Sequence, residues 1–375
     1  MRVLVTGGAG FIGSHVVDLL LAKGYDVTVV DSLRGPTHPK NEVPDYVPRK
    51  ASFIHGDVCS REPLRRALGG VDAVFHFAAQ QDNLPFFSRF ARTNDYGTAL
   101  LFETIIARRL PVRKVILASS QAIYGEGRHS CEEHGTQLPD PRPLDQLLRG
   151  KWDLTCTACR TVLQPLATDE RTPPRPSSHY GVSKFCQEQW AMTLGHRYQL
   201  PTVALRYSIT QGPRQSPYNA YSGVLRTFVT RLLSNQSPTI YEDGNQVRDY
   251  MHVRDAAEAS LLALEDERSN HQIFNVGGAT EPCRVRDYFA IIARCLDVQT
   301  EPEIPGKFRF GDTRHIFSDS SKLRALGWKP RFGLESIVRD YIGWIKNMNR
   351  VPDEYATAER VLRTTGALLD VKRGR

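Results

Sequence analysis

Apolar and polar positions along the first 120 residues follow a repeating order of short β-rich runs and amphipathic stretches. RVLVT (2–6) is an apolar run, SHVVDLLLAKG (14–24) carries its apolar residues at helical spacing, and DVTVVD (26–31) is apolar again. ASFIHGD (51–57) predicts a strand, REPLRRALGG a helix and AVFHFAA (73–79) a strand. TALLFETIIARR (98–109) then reads as a helix and KVILASS (114–120) as a strand. Strands separated by helices in this way make βαβ units. The pattern therefore predicts an α/β protein with a doubly wound parallel sheet.

The rhythm stops at 128–176. That stretch carries Cys131, His134, Cys156, Cys159 and seven prolines with little periodicity, and reads as an insertion. Alternation returns with YGVSKFCQEQWAMTLGHRYQL (180–200), a long helix, and PTVALRY (201–207), a strand. SPTIYEDGNQVRDYMHV, QIFNVGG and RDYFAIIARCLDV mix strands and helices in the last third. We expect a first domain over 1–205 containing the insertion. A smaller mixed α/β domain follows over 206–350, with part of 247–280 returning to the first. Residues 351–375 are polar and Arg-rich, and read as a tail, either helical or partly loose. No internal repeats occur.

Composition narrows the class. A chain of 375 residues holds two or three domain-sized units, and 41% hydrophobic with 24% charged residues is ordinary for a soluble globular protein. The opening MRVLVTGGAGFIG is glycine-rich and lacks a small-residue cleavage site, so no signal peptide is expected. No apolar run approaches the ~18 to 20 residues of a membrane span, and the chain reads as cytoplasmic. Seven cysteines, an odd number without a secretory signal, argue against a disulfide framework. The net charge of +8 is dispersed rather than blocked, with no basic run interleaved with aromatics. It predicts a solvated surface with pockets for phosphorylated ligands, and no nucleic-acid or membrane partner.

TGGAGFIGSH follows the first strand and opens the first helix, placing Gly7, Gly10 and Gly13 three apart. Glycines there permit a tight turn, let the backbone approach a pyrophosphate and let helix pack closely on strand, with the helix N-terminus facing the phosphates. Asp31 ends the next strand, 18 residues after Gly13. A carboxylate at that place accepts from ribose hydroxyls and repels a 2′-phosphate, so NAD is expected over NADP; Arg34 is the one residue that speaks for the phosphate. Asp57, closing FIHGD, either meets the adenine or caps the following helix.

Tyr180 and Lys184 stand i, i+4 at the start of a helix and share a face. An ammonium beside a phenol favours the phenolate, which lets the tyrosine act as a base near neutral pH.

TGGAGFIG, HGDV, HFAAQ, TNDYGT, LASSQAIYG and YGVSK, in this order and spacing, resemble the extended short-chain dehydrogenase/reductases. The resemblance spans about residues 1–340 and is strongest to the NAD-dependent nucleotide-sugar epimerase/dehydratase group, whose fold is of the Rossmann type. It implies that Phe11, Ile12, Val58, Phe77, Ala78, Ala79 and Asn94 join the glycines, Asp31 and Asp57 around NAD. Tyr180 is implied to take the proton from a sugar hydroxyl, with Ser120 bonded to the same oxygen and Lys184 also holding the nicotinamide ribose. Relatives that eliminate water usually carry Asp-Glu directly after the Ser/Thr, and decarboxylating ones a Glu at the second place. Here Gln121 and Ala122 stand there, and neither exchanges a proton. The expected chemistry is therefore oxidation to a 4-ketosugar, rotation, and return of the hydride to the opposite face. A dehydratase or ketosugar reductase is the alternative; a non-catalytic dinucleotide-binding protein is disfavoured by the intact Ser120, Tyr180 and Lys184.

The same resemblance assigns Arg248 and Arg309 to the diphosphate of a nucleotide-sugar, and sets Arg214 of GPRQS in a loop that borders the nucleotide. One departure is RYSITQGP (206–213), where Ile209 takes the slot of an asparagine that contacts phosphate in relatives. Gln80, Asp82 and Asn83 after HFAA are either sugar readers or an ordinary loop; Gln121 and Ala122 border the sugar. Relatives commonly form homodimers through a four-helix bundle, supplied here by 98–109 and 180–197.

Cys156 and Cys159 lie three apart, as do Cys131 and His134, with 21 residues between the pairs. A redox pair would begin a helix in a thioredoxin-like βαβ unit, which is absent here. C-x2-H and C-x2-C give four ligands at zinc-ribbon spacing, so a structural zinc closing the proline-rich insertion is expected, against four unconnected side chains.

Overall fold

Seven parallel strands form the centre of the protein, and each is one of the apolar runs named above. The structure is a computed structural model and describes residues 1–219, 223–278, 281–348 and 351–372. The strands are β1 (Arg2–Thr6), β2 (Asp26–Asp31), β3 (Ser52–His55), β4 (Ala73–His76), β5 (Lys114–Ser120), β6 (Thr202–Tyr207) and β7 (Ile273–Val276). Their order is β7-β6-β5-β4-β1-β2-β3, every pair parallel. The order reverses between β1 and β4, and a doubly wound sheet opens its ligand crevice at the carboxyl ends of such strands.

The helices used below are α1 (Phe11–Ala22), α2 (Arg61–Ala67), α3 (Gly97–Ala107), α4 (His179–Arg197), α5 (Val224–Leu233), α6 (Val253–Glu265), α7 (Val285–Leu296), α8 (Leu334–Lys346) and α9 (Tyr355–Thr364). Successive strand residues point to opposite faces, so one run feeds two cores. Val3, Val5 and Phe75 pack with Val16 and Leu20 of α1 and Ala256 of α6, whereas Leu4, Val74 and Val115 pack with Leu64 of α2, Phe102 of α3 and Ala191 of α4. A third core joins Phe228 of α5, Tyr288 of α7 and Tyr341 of α8 around Tyr250. Among the described residues no helix is long and apolar enough to cross a membrane.

Of the two readings of the tail, the helical one is what forms. Residues 355–364 form α9, and Leu368–Asp370 pairs antiparallel with Lys307–Arg309. Tyr355, Ala358 and Leu362 make a narrow apolar stripe on an otherwise polar helix, and Leu362 packs on Leu84 and Leu368. Three buried positions suffice because the surface they meet is already built. Residues 373–375 lie outside the described residues.

The insertion stays out of the main sheet. It forms a small antiparallel sheet from His129–Cys131, Gly135–Gln137 and Gln164–Pro165, and its buried apolar cluster is only Cys131, Leu154, Cys156 and Leu163. Buried charge ties it to the rest of the fold. Arg142 forks onto Glu242 at 3.0 and 2.9 Å and donates to the Asp312 carbonyl at 2.7 Å. Arg314 reaches Glu242 at 2.9 Å, Asp243 at 2.7 Å and Asp153 of the insertion at 2.8 Å.

Candidate functional site

One cavity runs along the carboxyl ends of β1, β2, β4, β5 and β6, and most of the residues singled out in the sequence line it. At its first end lies the glycine turn. Gly7 has φ +70°, and a Cβ on it would stand 2.7 Å from the Ala78 nitrogen; a Cβ on Gly13 would stand 2.2 Å from the Gly7 carbonyl oxygen. Helix α1 starts with Gly10 as N-cap and has neither a side-chain cap nor an acidic residue in its first turn. Its first amides, at Phe11, Ile12 and Gly13, thus face the cavity without an intrahelical acceptor, which is the arrangement that binds phosphate.

Asp31 lines the cavity at the end of β2, its two oxygens accepting from the Ala9 and Leu33 amides at 3.0 and 2.9 Å. Arg34 turns onto Asp57 at 2.9 Å. Asp57 also accepts from the Cys59 amide, while the N-cap of α2 is Ser60, so Asp57 is not the cap. Val58, Phe77, Ala78 and Ala79 complete this wall. Asn94 does not line it. It is fully buried one layer behind, accepting from the Gln80 amide at 2.8 Å and donating to the Gln80 carbonyl and Ser183 Oγ, so it shapes the loop and Thr93 faces the cavity.

Ser120, Tyr180 and Lys184 meet at the middle. Ser120 ends β5, its Oγ accepting from the Ala122 amide at 3.2 Å and sharing a hydrogen bond with the Tyr180 phenol. Ser178 caps α4 by accepting from the Gly181 amide at 3.1 Å, which sets the first turn carrying Tyr180. Lys184 Nζ donates to the Ala118 carbonyl at 2.7 Å. Burial pushes Tyr180 up to about 12 against the pull of Ser120, and pushes Lys184 down to about 7 against the pull of Asp95. Each shift opposes charge, so a phenolate and an ammonium are stabilised here only together.

The far end holds Gln80, Asp82, Asn83, Gln121, Ala122, Arg248 and Arg309. Arg248 donates to the Arg314 and Thr313 carbonyls at 2.8 and 2.7 Å, and Arg309 pairs with Asp312 at 2.7 Å over the Tyr241 ring. The four carboxylates lining the cavity, Asp31, Asp57, Asp82 and Asp312, are each engaged; Asp82 accepts from Gln80 Nε2 at 2.6 Å and the Leu84 amide at 2.8 Å. Arg214 is a correction: it lies outside the cavity wall, paired with Asp18 of α1 at 2.7 Å and stacked over Tyr46. Its backbone sits in the left-handed region, at φ +68°.

Gln215, Asn219 and Arg226 line the cavity and were missed from the sequence. Arg226 offers a signal: it is buried within VLRTFVTRLL, between the apolar residues Leu225 and Phe228 of α5, where a charge is out of place without a polar ligand or partner.

Away from the cavity, two turns of the insertion face each other. The turn joining His129–Cys131 to Gly135–Gln137 presents Cys131 and His134, and the hairpin closed by the Thr155–Val162 bridge presents Cys156 and Cys159. Their four donor atoms all lie within 4.8 Å of one another. Cys131 Sγ stands 3.5 Å from both His134 Nδ1 and Cys159 Sγ, and Cys156 Sγ 3.7 Å from His134 Nδ1. The Cys159 backbone N–H pulls the Cys156 thiol down to about 6.

The model of the NAD dependent epimerase/dehydratase family matches residues 3–145 and 158–277, its gap falling inside the insertion. A dTDP-L-rhamnose 4-epimerase of Burkholderia thailandensis is 32% identical over 92% of this chain and 94% of its own. A putative UDP-glucose 4-epimerase of Methanocaldococcus jannaschii is 33% identical over 93% of this chain and 99% of its own. Among solved structures, the UDP-glucose 4-epimerase of Thermotoga maritima with UDP-glucose superposes with a TM-score of 0.76 at 32% identity, covering 92% of this chain and 99% of its own. The Thermus thermophilus UDP-glucose 4-epimerase complex with NAD gives 0.72 at 31% identity, over 92% and 99%.

Proposed function

The chain belongs to the NAD dependent epimerase/dehydratase family, and from that premise we propose that it is an NAD-dependent nucleotide-sugar 4-epimerase. One observation carries the reading: Ser120, Tyr180 and Lys184 share a cavity with the glycine cradle, and the residues after Ser120 add no proton-exchanging group. The cradle, the uncapped start of α1 and Asp31 fit a dinucleotide, and Arg34, spent on Asp57, leaves the ribose end suited to NAD. Bound NAD supplies the hydride acceptor and, on return, its donor.

The protein's own part is proton handling and orientation. Tyr180 takes the proton of the sugar 4-hydroxyl and later returns it, Ser120 holds the same oxygen, and Lys184 supports the phenolate and the nicotinamide ribose. Gln121 and Ala122 leave the ketosugar no route to elimination, and every cavity carboxylate already has a partner. Arg248 and Arg309 face the diphosphate, with Gln80, Asp82 and Asn83 beside the sugar. On this reading residues 1–205 hold the cofactor and 206–350 the nucleotide-sugar, with β7 and α6 serving the cofactor half. A panel of UDP-, dTDP-, GDP- and ADP-sugars incubated without added cofactor tests it. Isomerisation at constant mass is expected; loss of water or carbon dioxide sinks the reading.

The insertion holds one structural zinc through Cys131, His134, Cys156 and Cys159. A tetrahedral zinc sets its sulfurs about 3.8 Å apart and sulfur and nitrogen about 3.5 Å apart, close to the separations seen between these atoms. Four protein ligands leave no open position for chemistry. Cys59, Cys186, Cys283 and Cys295 are free thiols and the other three cysteines are given to the metal, which suits a reducing compartment such as the cytoplasm. Val182 and Trp190 on α4 and Tyr96 before α3 are exposed apolar side chains, which supports a homodimer through these helices as a four-helix bundle. Native mass spectrometry is expected to find a dimer with two zinc ions. Cys156→Ser should release the zinc and lower the unfolding temperature by at least about 5 °C. Substoichiometric zinc with unchanged unfolding would sink the metal assignment.

A further inference from the structure

Lys184 is the end of a hydrogen-bond chain that runs away from the cavity. Its Nζ donates to Gln187 Oε1 at 2.8 Å, and Gln187 Nε2 donates to Thr98 Oγ1 at 2.9 Å. Thr98 gives its own proton to the Asn94 carbonyl at 2.6 Å, so its oxygen only accepts from its other neighbours, Gln187 and His76 Nε2 at 2.9 Å. His76 Nδ1 faces Thr6 Oγ1 at 2.8 Å, and Thr6 in turn accepts the Phe77 and Ala78 amides. Thr6, His76, Thr98 and Gln187 are completely buried.

Every proton in this chain is assigned by its neighbours. Thr6 donates to His76 Nδ1, which puts the single imidazole proton on Nε2, and burial holds that ring neutral by pushing it down to about 3. Turning the Gln187 amide over would set its NH2 against an ammonium and its oxygen against a hydroxyl with no proton to give. Gln187 can therefore show Lys184 only a carbonyl oxygen. An ammonium has three donors; Ala118 and Gln187 take two, and one is left for the cavity.

We infer that Gln187, which no motif contains, is a positioning residue: its fixed amide oxygen aims Lys184 Nζ and keeps it protonated at working pH. The inference builds on the role proposed for Lys184. An acceptor favours the charged donor, and here it offsets burial, which drives Lys184 towards the neutral amine. The titratable groups facing Lys184 are Tyr180 on its own helix, Asp95 before α3, which favours its charge, and neutral His76 in β4.

Two variants test it, Gln187→Leu and Gln187→Glu, with 13C-labelled lysine read by NMR in the NAD-loaded protein and Lys184 assigned through Lys184→Arg. The Leu variant should move the Lys184 titration down by about one pH unit, and the Glu variant should move it up by a similar amount. The alkaline limb of kcat should follow in the same two directions, with KM changed less than about twofold. Unshifted titration, or shifts in one direction for both, overturns the inference, and if the Leu variant does not fold the Glu variant decides alone. The titration needs no sugar. A wild-type protein that epimerises nothing would sink the proposed function and leave this result standing or falling by itself.

Discussion

Replacing Tyr180 by Phe is expected to lower kcat by about 10²- to 10⁴-fold, the range associated with removing a positioned acid–base group. The ring that lines the cavity stays and only the hydroxyl goes, so the fold, NAD retention and KM should change little. The wild-type rate should rise with pH as the phenol surrenders its proton and fall as Lys184 loses its own. Burial pushes Tyr180 up to about 12 and Lys184 down to about 7, so in the empty cavity they titrate in reverse order and the phenolate–ammonium form is a minority; the rise and fall take this order once the two charges stabilise each other in the loaded site. In the Phe variant the residual rate should lose its acid limb, because nothing remains there to deprotonate. Steady-state epimerisation across pH checks both points; a variant retaining more than about a tenth of wild-type kcat would remove Tyr180 from its role.

Substituting Glu242 by Ala is expected to cost about 3 kcal/mol of stability, since it removes the carboxylate that two buried guanidinium groups share. Arg142 and Arg314 both use this carboxylate, and the side chains of all three residues are at most 3% exposed. Their positive charges would then share what Asp243, Asp153 and Glu126 supply. The damage should not be confined to stability. Arg314 follows Thr313, and Arg142 holds the Asp312 carbonyl, so the loop carrying the partners of Arg248 and Arg309 rests on this cluster. KM for the nucleotide-sugar should rise several-fold while NAD retention holds. Urea unfolding and steady-state kinetics measure the two effects; a loss below about 1 kcal/mol would mean that the remaining carboxylates and water carry the charge.

What could be read from the chain was whatever local spacing determines. The glycine turn lies wholly within one strand–turn–helix unit, so its residues meet whatever surrounds them. Tyr180 and Lys184 are neighbours by helix geometry alone. Arg214 failed for the opposite reason: its partner Asp18 is 196 residues away, and a loop arginine is captured by the nearest carboxylate. Asn94 is polar like a cavity wall, yet Ala91–Tyr96 is one helical segment whose successive side chains diverge, setting Thr93 in front and Asn94 behind.

The amino-acid order by itself determined the seven strands, the cofactor cradle and the Tyr180–Lys184 pair, because strand alternation and helical repeat act over a few residues. It also set the Cys131–His134 and Cys156–Cys159 spacings. Only tertiary packing decided that two distant turns bring two cysteine-bearing pairs, four donor atoms in all, within 4.8 Å, and that a polar segment becomes α9 against Leu84. The same packing set Gln187 behind Lys184 through Thr98. Contacts of this kind join residues far apart in the chain, and burial is what gives them their strength: with water excluded, each polar atom must be matched by another that only the folded chain supplies.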